Sequence, residues 1–188
     1  MLFRSREMVD LLVLDLVDKG LATDQIVLTV GYDIENLADP ARRLQYHGPV
    51  TTDAYGRSVP KHAHGTANLG EFSSSTKQIT DAVLALFDRI VNPALLVRRL
   101  NLSANHVAAE STLRQNTSVE QLDLFTDYAA QQAKQQEQEE ALAREKKMQQ
   151  VMLSIKKKYG KNAILKGMNL VDGATTQDRN EQIGGHKA

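Results

Sequence analysis

Polar side chains that suit phosphate binding alternate with apolar ones in three segments, residues 25–32, 65–71 and 96–104. Alternation of this kind is typical of half-buried strands. Hydroxyl, amide and guanidinium groups bond phosphate oxygens without reading base sequence. The outward positions include no carboxylate and are Thr29, Thr66, Asn68, Arg99, Asn101 and Ser103. The pattern indicates a phosphate-binding surface, although an ordinary polar sheet face would show the same composition.

A basic stretch lies between the first two segments. Residues 41–66 contain a single acid, Asp53, against the cations Arg42, Arg43, Arg57 and Lys61. His62 and His64 follow at a spacing that places both on one side of an extended chain. A metal site would need a third ligand, and no nearby residue has a defining spacing. Protonatable phosphate contacts or plain loop residues are the better interpretation of these histidines.

A run of hydroxyl residues, Ser74, Ser75 and Thr76, precedes the second predicted helix. Such residues cap the free N–H groups of a helix N-terminus, which also attracts phosphate. No Gly-x-Ser-x-Gly turn surrounds these serines, so nothing indicates a nucleophile. The chain has neither a phosphate-binding glycine loop nor a dinucleotide fingerprint. We therefore expect this run to contact phosphate and perform no chemistry.

Helical and strand periodicities predict an α+β fold. Two apolar stripes of helical spacing occur, one formed by Val9, Leu12, Val13, Leu16 and Val17 and the other by Ile79, Ala82, Val83, Leu86, Phe87 and Ile90. The predicted order is helix, strand, long loop, strand, helix, strand. Along the last strand, Val97 is expected to point outward with Arg99. Two helices with one stripe each can cover only one face of a sheet, which leaves the other to solvent or a partner.

Composition limits the class of protein. The chain has 188 residues and 23 basic against 23 acidic side chains, which argues against a uniformly basic nucleic-acid coat. Cysteine is absent, so disulfides and thiolate metal sites are excluded. No apolar run approaches the roughly 20 residues of a membrane span. We expect a soluble, cytoplasmic protein without a membrane partner.

Composition also divides the chain. We expect the globular domain over residues 1–110, a linker over 111–130, a polar or amphipathic helix over 131–160 and a flexible tail over 161–188. Five of the ten residues from 131 to 140 are Gln, which cannot bury a face. Further along the predicted helix, an apolar stripe could dock on the domain or on a partner; its members are Met148, Val151, Met152, Ile155 and Tyr159.

The pentapeptide Gln121, Leu122, Asp123, Leu124 and Phe125 combines an amide with apolar side chains that could fill a pocket. It resembles the motif by which bacterial polymerases and repair proteins dock on the sliding clamp. A helix start buried against the core is the alternative. The position of the pentapeptide after a folded domain and a polar linker favours the interpretation as a clamp motif.

The chain as a whole resembles the C-terminal part of a Y-family (DinB/UmuC-type) translesion DNA polymerase of Gram-positive bacteria. The similarity runs through DQIVLTVGY at 24–32, KHAHGTANLG at 61–70, SST at 74–76, DRI at 88–90 and LVRRL at 96–100. The clamp motif and the tail segments ATTQDRN at 174–180 and QIGGHK at 182–187 extend it. The resemblance implies a little-finger domain of β-α-β-β-α-β order, whose first strand is missing or clipped here.

The resemblance implies a DNA-binding, clamp-docking fragment that acts in DNA repair and the SOS response. The family's catalytic carboxylates and Mg²⁺ belong to a palm domain that this sequence lacks, as it lacks fingers and thumb, so we expect no enzyme activity and no cofactor. The alternative is a protein-interaction module that self-associates or binds a regulatory partner through its long helix. The expected DNA contacts are Arg57, Lys61, His62, His64, Thr66, Asn68, Ser74, Ser75, Thr76, Arg99, Asn101 and Ser103.

Overall fold

The structure is a computed structural model that describes residues 2–113, 128–183 and 186–187. The elements in chain order are α1 (Leu2–Asp18), β1 (Leu21–Tyr32), α2 (Glu35–Ala38), α3 (Pro40–Gln45), β2 (Val50–Thr52), β3 (Ser58–Pro60), β4 (Ala63–Ser73), α4 (Thr76–Ile90), β5 (Val97–Asn105), β6 (Ala108–Ala109), α5 (Glu110–Leu113), α6 (Tyr128–Tyr159), a 3-10 helix (Gly167–Leu170), α7 (Thr176–Asn180), β7 (Gln182–Ile183) and β8 (His186–Lys187). The predicted α+β class is confirmed.

The main sheet is antiparallel and has β1 at its centre. Strands β4 and β5 flank β1, and the short β6 pairs with the first residues of β1. The predicted order of helices and strands is confirmed, and the long loop contains α2, α3 and a separate hairpin of β2 and β3. Asn36 ties this loop to the sheet, because its side chain accepts from Leu96 N at 2.8 Å and donates to Leu96 O at 2.9 Å.

One face of the sheet is covered by α1 and α4, as predicted. On β1, the inward residues Ile26, Leu28 and Val30 are at most 1% exposed. The apolar stripes of α1 and α4 pack against these residues. Val9 of α1 and Ile79 of α4 are fully buried in the resulting cluster. Burying an aliphatic side chain of this size contributes about 1.5–3 kcal/mol. This layer is therefore the main source of stability for the sheet.

A glycine allows α4 to approach β4. A Cβ atom at Gly65 would lie 2.9 Å from Leu86 Cδ1 and 3.1 Å from Ile90 Cγ2. Such distances are shorter than a normal carbon contact of about 3.5–4.0 Å. A larger residue at position 65 would therefore require the side chains of Leu86 and Ile90 to shift.

The outward orientation predicted for Val97 is wrong. The register between β1 and β5 shifts between Gly31, which pairs with Arg99, and Tyr32, which pairs with Val97. The shift leaves Arg98 as an extra residue and turns Val97 inward, where it packs against the core around Leu28 and Phe87. An irregularity of this kind adds one residue to the strand, so the side chains before and after it do not alternate in phase between the two faces of the sheet.

The long helix α6 docks on the domain with a face that differs from its predicted apolar stripe. Leu153 packs against the core cluster beneath α1, and Met152 is half-buried. Met148 and Val151, by contrast, are 59% and 51% exposed. The stripe predicted from apolar residues alone therefore spans two faces of the helix. Among the described residues, no helix combines the length and apolar character needed to cross a bilayer.

The segment after α6 was expected to be a flexible tail, but its described residues fold back over α1. The carboxylate of Glu7, which is 1% exposed, accepts hydrogen bonds from the backbone N–H and the hydroxyl of both Thr175 and Thr176 at 2.7–3.1 Å. Lys166 donates to Asp10 at 2.6 Å beside this contact. Glu7 is thus the centre of the contact with the tail, and its partners Thr175 and Thr176 lie 168 and 169 residues away in sequence.

We expect the Glu7→Gln variant to loosen this contact, because an amide offers one acceptor oxygen where two carboxylate oxygens now serve four donors. The free energy of unfolding at pH 7, measured by urea denaturation, should fall by about 2 kcal/mol. Hydrogen exchange over residues 161–183 should accelerate. The exposed carboxylate variant Glu137→Gln is the control and should leave both measurements unchanged.

The same variant has a pH signature. Burial raises the pKa of Glu7, but the hydrogen bonds from Thr176 and Thr175 outweigh burial and leave the pKa below its ordinary value of 4.5. A lowered folded-state pKa contributes stability that is present above the unfolded-state value and is lost as the pH falls through the folded-state value. The wild type should lose this contribution on acidification below about pH 4.5. An equally steep acid loss in Glu7→Gln would contradict the assignment.

Candidate nucleic-acid interface

The face of the sheet opposite α1 and α4, called here the open face, is not covered by any helix that the structure describes. Because side chains alternate along a strand, the residues that do not enter the core all project here. At about 3.3 Å per residue, the face is about 20 Å long from residue 25 to residue 31. It comprises Gln25, Val27, Thr29 and Gly31 of β1, His64, Thr66 and Asn68 of β4, and Arg99, Asn101, Ser103 and Asn105 of β5. None of these residues is acidic.

Hydrogen bonds between neighbouring strands order part of this face. Gln25 Nε2 donates to Asn68 Oδ1 at 2.9 Å, and Asn105 Nδ2 donates to Gln25 Oε1 at 3.2 Å. Thr29 Oγ1 lies 2.9 Å from His64 Nδ1. Each of the three amides keeps further N–H donors after these bonds are made. The row therefore holds donors in place for an acceptor outside the protein.

A groove borders one end of the open face, where the hairpin of β2 and β3 stands beside the sheet. The groove has a volume of about 470 Å³. Its floor includes Gly31, which has no side chain to fill it, and the exposed Arg98 and Arg99 both line it. The other lining residues are Thr29, Tyr32, Thr51, Thr52, Asp53, Ala54, Tyr55, Arg57, Val59, Pro60, His62 and Asn101.

The hairpin turn is organised by Asp53. Its carboxylate accepts from the backbone N–H groups of Tyr55 and Arg57 and from Arg57 Nε, each at 2.9 Å. The hydrogen bond from the Arg57 side chain keeps the pKa of Asp53 below its usual value. The Arg57 guanidinium also lies 5.0 Å from the centre of the Tyr55 ring. Arg57 is thus part of the turn itself, and its charge is balanced by Asp53.

The charge of Arg98 and Arg99 is not balanced in this way. Neither forms an ion pair with any residue that the structure describes. Because Arg57 is paired with Asp53, the groove has a net positive charge that comes from these two side chains. They are the groups best placed to attract an anion.

The structure brings together most of the predicted contacts in β4 and β5. His64, Thr66, Asn68, Arg99, Asn101 and Ser103 share the open face with Thr29. His62 lines the groove. Lys61 is exposed beyond β3, where its backbone N–H donates to Pro49 O at 2.8 Å. The open face and the groove therefore form one continuous candidate surface.

The hydroxyl run at the start of α4 is placed differently from the expectation. Ser75 caps α4 through its contact with Gln78 N, but its hydroxyl also donates to Glu145 of α6 at 2.7 Å. Thr76 N donates to the same carboxylate at 2.7 Å. The hydroxyl of Ser74 donates to Glu110 at 2.8 Å.

A carboxylate is favourable at a helix N-terminus because the free N–H groups and the helix dipole attract negative charge. Glu145 therefore occupies the position expected for phosphate, so Ser74, Ser75 and Thr76 serve to dock α6. The lysine next to it, Lys146, forms an ion pair with Glu110, and Gln149 Nε2 donates to Thr76 Oγ1 at 3.0 Å.

Several residues of this surface were missed in the sequence. Gln25 and Asn105 follow from extending the same alternation by one or two positions, so the signal was present. Arg98 could not be assigned, because alternation places it inward and only the irregularity beside Gly31 exposes it. No feature of the sequence indicated the role of Glu145, because its partner Thr76 is 69 residues away.

The predicted clamp motif, Gln121, Leu122, Asp123, Leu124 and Phe125, lies outside the described residues. Within the described ranges, no group of three or more His, Asp or Glu side chains is arranged to hold a metal ion. Comparisons with protein-family models, with curated proteins and with solved structures found no match to this chain.

We expect the Glu145→Gln variant to weaken the docking of α6, because the anion at the N-terminus of α4 is lost. A helix-terminal charge and its hydrogen bonds together contribute on the order of 1–2 kcal/mol. The free energy of unfolding should fall by that amount, and hydrogen exchange in α6 should accelerate. Glu140→Gln, which changes an exposed carboxylate on the same helix, is the control. Equal effects of the two variants would contradict the docking role of Glu145.

Proposed function

We propose that this chain binds DNA through the open face of its sheet and the adjoining groove, without reading base sequence. The observation that carries the proposal is the absence of carboxylates on an ordered face rich in donors, next to Arg98 and Arg99. A phosphate backbone needs N–H, O–H and guanidinium donors and is repelled by acids. An ordinary polar surface of a chain with equal acidic and basic content would include acidic residues.

The binding mode is a grip on the phosphate backbone. The amide row around Gln25 and the hydroxyls of Thr66 and Ser103 offer neutral donors along the sheet. The arginines supply the charge that displaces counterions at one end. Contacts of this type carry no sequence information, so a distorted or damaged base would leave them intact.

The resemblance to translesion polymerases supplies the proposed context. In that context the chain is a non-catalytic, cytoplasmic fragment of an error-prone polymerase, and residues 121–125 dock it on the sliding clamp. A clamp anchor joined to a DNA-binding domain raises the local concentration of the domain on DNA. The palm domain of such a polymerase, with its Mg²⁺, would perform the chemistry.

We predict weak, salt-dependent binding to duplex and primer-template DNA of any sequence. Replacing Arg98 and Arg99 together by Ala should weaken binding to all sequences alike. Each lost phosphate contact should make the log–log salt slope shallower by about 0.9. Fluorescence anisotropy with labelled DNA from low to physiological salt measures both quantities.

The control for this experiment is Lys77→Ala, which removes an exposed charge from α4 on the opposite side of the sheet. It should leave the affinity and the salt slope nearly unchanged. Salt-independent binding, or an equal loss in the control, would overturn the proposal that the open face and groove bind DNA.

The clamp anchor is tested separately. Replacing Leu124 and Phe125 together by Ala should weaken binding to a bacterial sliding clamp at least a hundredfold, because each buried apolar side chain contributes about 1.5–3 kcal/mol. DNA affinity and melting temperature should stay constant, and Asn116→Ala should bind the clamp normally. Unchanged clamp binding, or a large fall in melting temperature, would favour a core role for these residues.

A further inference from the structure

The long helix α6 has an apolar row that its own domain leaves uncovered. Met148, Val151 and Tyr159 are 59%, 51% and 67% exposed, and Ile155 is half-buried. The side chains by which α6 docks, such as Gln149 and Leu153, belong to a different face of the helix. Exposed apolar side chains grouped on one surface of a helix indicate an interaction site.

The row has the spacing of a coiled-coil seam. Residues 141, 144, 148, 151 and 155 alternate steps of three and four, and all but Arg144 are apolar. Steps of this kind keep one stripe of a helix facing a partner helix along its length. The seam, which consists of Ala141, Arg144, Met148, Val151 and Ile155, is therefore suited to a second helix.

Charge along α6 identifies the orientation of that partner. Glu137, Glu139 and Glu140 precede the seam's apolar centre, and Lys156, Lys157 and Lys158 follow it. Lys157 pairs with Asp18 and Lys156 donates to Lys161 O, so Lys158 is the lysine offered to a partner, and no acidic residue lies between Lys146 and Tyr159. Two parallel copies would place like charges together. Two antiparallel copies would place the acidic end of each against the basic end of the other, which is attractive.

We propose that a second copy of this chain pairs with the seam of α6 in antiparallel orientation. In the register centred between Met148 and Val151, Met148 of each copy faces Val151 of the other. Ala141 then faces Lys158, and Glu140 lies within one turn of that lysine. The two Met148–Val151 contacts fill the middle of the pair, and the aliphatic stem of Arg144 lies against Ile155 of the other copy on each side. Glu140 and Lys158 bring opposite charges together at both ends.

The geometry favours a weak, reversible dimer. The helix is already ordered by its docking on α1 and α4, so pairing has little ordering cost. The seam spans about 21 Å at 1.5 Å per residue, however, and a contact of that length buries less surface than a permanent dimer. α6 docks on α1 and on the start of α4, the two helices that cover the face of the sheet opposite the open one.

Sedimentation velocity of the full chain tests the proposal. The wild type should shift from monomer to dimer between about 1 µM and 1 mM, as expected of a weak, reversible interface. Val151→Glu and Met148→Glu, which alter exposed side chains, should each raise the dissociation constant at least tenfold without changing the melting temperature. Gln150→Glu, on the other flank of α6, is the charge-matched control and should dimerise normally. A wild type that stays monomeric throughout, or glutamate variants that dimerise like the control, would overturn the proposal.

Orientation is tested by disulfide trapping, since the chain contains no cysteine. An equimolar mixture of Ala141→Cys and Lys158→Cys chains, one of them tagged, should form a heterodimer on mild oxidation. Either variant alone should form little covalent dimer, because the two copies of residue 141 would lie about 25 Å apart along the helix axis. Efficient homodimer formation by Ala141→Cys alone would show a parallel pair and overturn the proposed arrangement.

Discussion

The burial of one side of β1 beneath α1 and α4 is the interaction on which the rest of the molecule depends. Ile26, Leu28 and Val30 form its centre, with almost no exposed surface. Among the described residues, β4 and β5 pair with no strand other than β1, so the sheet depends on β1 being held in place. Since side chains alternate, sealing one face of β1 necessarily presents the other. The candidate DNA surface is thus a direct consequence of the core.

The C-terminal part of the chain is attached mainly by hydrogen bonds and ion pairs, unlike the apolar layer between the helices and the sheet. The contacts that join it to the domain centre on carboxylates: Glu7 receives the tail, and Glu145 reaches the start of α4. Burial raises the pKa of Asp10, which Lys166 partly compensates, and burial lowers the pKa of Lys156 nearby. These directional, ionisable contacts make the attachment of the tail dependent on pH in a way that the apolar layer beneath α1 is not.

The distribution of acidic residues is as informative as the distribution of basic ones. Formal net charge is zero, yet none of the acidic residues that the structure describes is among the residues of the open face. Many carboxylates instead have structural tasks: Asp53 forms the hairpin turn, and Glu110 and Glu145 fix α6. A neutral chain can in this way carry a face that attracts anions, because potential depends on local arrangement and not on total charge.

The sequence by itself determined the helices α1 and α4, the three long strands and the side chains on each face, because these follow from local periodicities set by core burial. Only the tertiary structure decided where that alternation breaks: the irregularity opposite Gly31 turns Val97 inward and exposes Arg98. It also decided that Glu145 fills the N-terminus of α4 and that Glu7 holds the tail. Those contacts join residues 69 and 169 positions apart, and a single polar side chain leaves no periodic signal of its distant partner.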